Sequence, residues 1–216
     1  MRLLPGTIVF VLGSCSAIAQ NWQLGVLGGY GWVSNSTISN NTTFNPPASA
    51  SVGFPSRATV GVLLGETPYR HWGGEVRWMY QWGGPEINWN GTRTSLSGFS
   101  NLITYDFMVY PVQTESGLRP YLAGGAGAKI YTGSGRRFLA QLPTGLAVLR
   151  SETEAEPAVS LGGGLKYQFA RHAQARIDFR TYLTPVPESV IRPVGQAFIH
   201  GWLADFVPTI GVFYTF

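Results

Sequence analysis

His71, His172 and His200 are the side chains best placed by type to exchange a proton near neutral pH. A hydrolase needs such a base beside a nucleophile, and Ser189 is the serine nearest to His200 that fits the idea. No HxSN-like deacylase pattern surrounds that pair, so His71 and His172 read as turn residues and His200 as a rim histidine. No His, Cys, Asp and Glu cluster has metal-ligand spacing. The run GSGRR at 133–137 is too short for a phosphate loop and reads as a flexible loop with two solvated arginines. Asn35, Asn41 and Asn90 begin sequons but read simply as polar loop residues. No catalytic residue, metal or cofactor is expected.

The residues with a definite pattern are charged. Glu75, Arg77, Asp106, Lys166, Arg176, Asp178, Arg180 and Asp205 all sit on the parity opposite the apolar residues of their segments. In a strand that parity turns charge to one face and apolar groups to the other. Such a set could form a buried ionic network or, as a second reading, a narrow gated path for ions along Glu75, Arg77, Arg176 and Arg180.

Eight alternating segments position these charges. The first is WQLGVLGGYGW, with Trp22, Leu24, Val26, Tyr30 and Trp32 on one face; the second, near 57–65, aligns Ala58, Val60, Val62 and Leu64. WGGEVRWMYQW sets Val76, Trp78, Tyr80 and Trp82 opposite Glu75, Arg77 and Gln81, and the segment near 97–110 sets Phe99, Ile103, Tyr105, Phe107 and Val109 opposite Thr104 and Asp106. The fifth, RPYLAGGAGAKIY, is too rich in glycine for its faces to be assigned. The last three carry Val159 to Phe169, Ala175 to Leu183, and Phe206 to Phe216 on their apolar faces.

Composition agrees with an all-β chain. Of 216 residues 12% are charged and 13% aromatic, with 28 Gly and 7 Trp, a mix poor in helix formers. Beyond the N-terminus no run of eighteen apolar residues suggests a membrane helix. The net charge of +4 is spread along the chain without a basic cluster, and Lys occurs only at 129 and 166, so nucleic acid is not an expected partner. Arg2, an apolar stretch from Leu3 to Leu12 and small residues up to Ala17 and Ala19 read as an export signal over 1–19, leaving 20–216 as one barrel domain. A rival reading makes LGSC a lipobox with Cys15, the single cysteine, lipidated. With cleavage after Ala19 the mature chain would hold no disulfide.

Connections after segments one, three, five and seven are long, near 34–56, 83–96, 132–156 and 184–201. Those after two, four and six are short, near 66–71, 111–119 and 170–173. The long ones, such as SNSTISNNTTFNPPASAS and SETEAEP, are polar and suit mobile surface loops. This asymmetry is that of transmembrane barrels with short periplasmic turns and long external loops. Trp22, Trp32, Trp72, Trp82, Trp202 and Tyr214 fall near segment ends, where aromatic girdles at the two lipid interfaces would lie. A soluble lipocalin-like barrel or a sandwich would also alternate, but a water-facing exterior calls for denser charge than these segments hold.

GGEVRWMYQW, YDFMVYP, RPYLAGGAGAKIY and the terminal VFYTF, in that order behind an export signal, resemble the small outer-membrane β-barrels of Gram-negative bacteria, the OmpA-type eight-stranded domain without a C-terminal peptidoglycan-binding domain. The resemblance implies an eight-stranded antiparallel up-and-down transmembrane β-barrel in the bacterial outer membrane, in contact with its lipids. It also implies that Ile210, Val212, Tyr214 and Phe216 are the signal read by the barrel-assembly machinery, after periplasmic chaperones have carried the chain there. Pro208 is expected near the start of regular pairing, since it has no N–H to donate. The expected function is a structural or surface-contact role for the external loops, with no extracellular partner named by the sequence. The alternatives are a lipid-modifying enzyme, a narrow channel and a soluble ligand-binding barrel.

Overall fold

A computed structural model describes residues 21–40, 49–67, 69–112, 117–134, 147–193 and 197–216. The export segment with Ala17, Ala19 and Cys15 lies outside the described residues. In chain order the strands are β1 (Asn21–Val33), β2 (Ser36–Asn40), β3 (Ser49–Gly53), β4 (Arg57–Thr67), β5 (Trp72–Trp82), β6 (Glu86–Trp89), β7 (Thr92–Ser95) and β8 (Ser97–Val109). They continue as β9 (Leu118–Ser134), β10 (Ala147–Leu149), β11 (Thr153–Ala170), β12 (Ala173–Pro185), β13 (Ile191–Pro193), β14 (Ala197–His200) and β15 (Trp202–Thr215).

β1, β4, β5, β8, β9, β11, β12 and β15 close into an antiparallel up-and-down barrel, each beside its predecessor. Closure comes from β1 against β15, running from Gln23 opposite Thr215 to Val33 opposite Asp205. The other edge of β1 pairs with β4 from Asn21 opposite Thr67 to Gly31 opposite Arg57. No edge of the main sheet is left open. The period-2 pattern decides which face turns outward: Val26, Ile210 and Leu122 are more than 60% exposed, while Leu63, Met79 and Val207, on the opposite parity, are buried. A chain folded in water would bury the first set; here the apolar groups form an outer band. Trp22, Trp72 and Tyr214 are exposed toward the end with short turns, and Trp32, Trp82 and Trp202 toward the other. The glycine-rich fifth segment forms β9 and resolves its faces, with Tyr121, Lys129 and Tyr131 inward and Leu122 outward. Among the described residues no helix is long and apolar enough to cross a membrane.

Glycines open room for large interior side chains. A Cβ on Gly164 would come within 2.6 Å of both the Asp178 Cβ and the Tyr121 hydroxyl, and one on Gly125 within 2.6 Å of the Asp106 carboxylate. Pro208 does not lie at the start of pairing as expected. It sits inside β15 opposite Phe179 of β12, and the ladder to β1 skips from Gly29↔Thr209 to Trp32↔Phe206. The missing N–H therefore falls on the β1 side, where the barrel tolerates a gap in the ladder.

The described parts of the long connections differ from the mobile loops their composition suggested, while 41–48, 135–146 with the arginines of GSGRR, and 194–196 lie outside the described residues. β14, β2, β3, β6 and β7 form a five-stranded sheet, and β10 pairs with β13. Ile38, Val52, Phe54, Ile87, Leu149, Val190 and Ile191 pack there with Tyr131 and Leu203 from the barrel strands β9 and β15. Phe54 stacks on Tyr131 with centroids 4.8 Å apart. SETEAEP, expected as loop, supplies the start of β11 from Thr153. Short strands from different connections thus share one apolar cluster, a cap continuous with the barrel mouth. At the hairpin joining β6 and β7, Asn90 and Gly91 adopt positive φ, as a tight two-residue turn requires.

Ile87→Ala should cost the cap about 2–5 kcal/mol, the usual range for emptying a buried aliphatic site. Limited proteolysis in lipid should then cut within 83–96 faster, while boiled and unboiled samples still migrate differently on a gel because the barrel remains closed.

Candidate functional site in the barrel interior

All eight charged residues singled out in the sequence lie inside the barrel and are buried: Glu75, Arg77, Asp106, Lys166, Arg176, Asp178, Arg180 and Asp205. β5 supplies Glu75 and Arg77, β8 supplies Asp106, and β12 supplies Arg176, Asp178 and Arg180 at consecutive inward positions. Glu75 is the hub. Its carboxylate accepts from Arg77 at 2.9 Å, from Arg176 at 2.7 and 3.1 Å, and from Arg180 at 2.8 Å. Asp178 is the second acceptor, taking two hydrogen bonds from Arg77 at 2.7 and 3.2 Å, one from the Tyr121 hydroxyl at 3.0 Å and one from Thr209 at 2.9 Å. Arg180 reaches Asp106 at 3.4 Å, and Thr104 donates to the same carboxylate at 3.0 Å. Three guanidiniums and three carboxylates thus neutralise one another across the barrel.

Asp205 does not join this cluster. It lies nearer the cap, paired with Lys129 at 2.5 Å and Arg57 at 3.8 Å, and accepts from Gln81 at 2.9 Å. Ser100 donates to Gln81 at 3.2 Å. Arg57 and Lys129 were absent from the sequence-derived set. Between the two ionic groups Leu27, Leu63, Met79, Leu102, Ala158, Tyr182 and Val207 pack as one apolar cluster, each buried. Lys166 sits toward the end with short turns, donating to the Gln23 side-chain oxygen at 2.9 Å and the Tyr110 hydroxyl at 2.7 Å. The interior is therefore layered from one mouth to the other: Lys166, the Glu75 hub, an apolar layer, the Asp205 group and the cap.

This arrangement holds charge, and the side chains weighed for catalysis lie apart from it. Ser189 spends its hydroxyl and its backbone N–H on Glu154, at 3.1 and 2.7 Å. The Nδ1 atoms of His71 and His172 face the carbonyl oxygens of Tyr110 and Thr215, at 3.0 and 2.9 Å. Among the described residues no group of three metal-ligating side chains converges. Ile210, Val212, Tyr214 and Phe216 all point outward from the closing strand.

Replacing Glu75 by Gln leaves Arg77, Arg176 and Arg180 facing one fewer carboxylate. Breaking a buried pair from one side costs about 3–5 kcal/mol, so the unboiled, folded band should disappear at a distinctly lower temperature than in the parent protein. An unchanged transition would mean that the hub does not bear on stability.

No protein-family model matches the chain, and no curated protein matches it in sequence. Solved structures do. The chain is similar to Neisserial surface protein A, with a TM-score of 0.57 and 8% identity over 90% of this chain and 97% of that one. It is similar to the outer membrane protein OprG of Pseudomonas aeruginosa, with a TM-score of 0.51 and 16% identity over 90% and 95% of the two chains. The outer membrane protease OmpT of Escherichia coli also matches, with a TM-score of 0.51 and 11% identity over 91% and 97%. At such identities the likeness is one of architecture, and it extends to an enzyme as well as to proteins not described as enzymes. The chain has the fold of the outer-membrane β-barrels, closed here by eight strands.

Proposed function

We propose that the chain is an integral protein of the bacterial outer membrane, held by its apolar outer band, that presents a structured external cap for structural or surface-contact roles and performs no catalysis. The observation that carries this reading is the filled interior. An eight-stranded barrel leaves room for little more than its own side chains, and here that room is taken by two ionic groups with an apolar layer between them. An ion entering from one mouth would have to shed its water against Leu63, Met79 and Leu102, all of which are buried. That arrangement disfavours the channel reading along Glu75, Arg77, Arg176 and Arg180. The engagement of Ser189 by Glu154 likewise disfavours a hydrolase. The barrel lipids are its membrane partners in this reading, and Ile210, Val212, Tyr214 and Phe216 serve as the signal for the barrel-assembly machinery, reached with periplasmic chaperones.

Purified protein added to a planar bilayer should give no stepwise conductance, whereas the double substitution Met79→Ser and Leu102→Ser, which wets the apolar layer, should give small steps. Conductance by the unaltered chain would revive the channel.

A further inference from the structure

The two lysines of the chain both lie inside the barrel, and they are treated differently. Lys129 has the Asp205 carboxylate at 2.5 Å. Lys166 is 6% exposed, yet among the described residues no carboxylate lies within ion-pair distance of it; its partners are the neutral Gln23 amide and the Tyr110 hydroxyl. The cations gather further here. Lys166 stands opposite Arg119 on β9 and opposite Arg176 on β12. Arg176 is neutralised by Glu75 and Asp178, but Arg119 lies with its guanidinium 3.7 Å from the centre of the Tyr110 ring and donates to the Arg70 carbonyl, so its charge too is uncompensated by any described carboxylate. A buried ammonium without a counter-charge is costly, and among the described residues only two acceptors take its three N–H groups.

Beside it is a cavity of about 130 Å³ lined by Gln23, Gly117, Arg119, Lys166, Gln168 and Gln174. It is too small for a sugar or a peptide. Its lining offers one ammonium, one guanidinium, three side-chain amides and a glycine, all able to donate through side chain or backbone, and among the described residues no carboxylate to repel an anion. We propose that this cavity, at the barrel end bearing the short turns, is a binding site for a phosphate-sized oxyanion, held by Lys166 as the buried point charge and by Arg119 at its rim. Lys suits a phosphate as a point charge and Arg as a planar fork. The same group can arrive as free phosphate or on the headgroup of a phospholipid.

The test is calorimetric titration of the full chain in a maltoside detergent, with inorganic phosphate in one arm and dihexanoyl phosphatidic acid in the other. Saturable binding in either arm, weakened at least tenfold in Lys166→Met and several-fold in Arg119→Gln, is expected, and the arm that responds tells whether the group comes free or on lipid. A gel shift between boiled and unboiled samples shows that each variant has kept its barrel. Should Lys166→Met fail to fold, Arg119→Gln, at the rim, carries the comparison alone. No saturable binding in the parent chain, or equal binding in the variants, would overturn the site.

Discussion

One carboxylate, Glu75, gathers the side chains of three arginines from two strands on different sides of the lumen. Much of the barrel is arranged around that convergence. Arg176, Asp178 and Arg180 lie at alternate positions of β12, and the strand must keep its register for all three to point inward. A slip of one residue would turn them outward and bring Ile177 and Phe179 in. Each charge moved to the lipid face would cost about 2–4 kcal/mol at mid-depth for Arg. The network is therefore better understood as fixing register than as adding stability, because buried ion pairs gain little over apolar packing of the same volume. The glycines follow from the same constraint. Gly164 and Gly125 stand where the Tyr121, Asp178 and Asp106 side chains need space.

Beyond the hub the interior changes character with height. Apolar residues from several strands meet at Leu63, Met79, Leu102 and Val207, and above them Asp205 collects Lys129 and Arg57. A lumen of this width can be closed twice by charge and once by hydrocarbon without any residue having to block it alone. The cap continues that closure, since Tyr131 and Leu203 belong at once to barrel strands and to the apolar cluster of the connections. Stability at the cap end is thus shared between short strands and the rim on which they stand.

Much of this was legible in the alternation. Val60 and Val62 outward, Arg77 inward, and Arg176, Asp178 and Arg180 inward all follow from period-2 reading of segments with strong side chains. Lys129 was not assigned because its segment places Gly124, Gly125 and Gly127 where the pattern should show, and glycine carries no hydrophobic signal for either face. Arg57 opens β4 one residue before the apolar set begins and was not assigned; its parity, opposite to Ala58 and Val60, was the available clue. The cap left no local signal. Its strands are three to five residues long, as in β10 (Ala147–Leu149) and β2 (Ser36–Asn40), and β2 pairs with β14 (Ala197–His200), far away along the chain. Such contacts form where the barrel brings four connections to one mouth. Lys166 was seen as one of a set, but that it alone of that set lacks a carboxylate among the described residues appears only when distances replace parity.

This barrel is turned apolar side out, with its ions inside. Methyl NMR of the chain in lipid nanodiscs carrying a spin label at mid-depth of the acyl chains tests it directly. Val26, Val62, Ile177 and Val212 should broaden strongly, while Leu63, Leu102 and Val207 should stay sharp. Broadening of the second set with protection of the first would contradict the account and place the apolar faces in a water-excluded core.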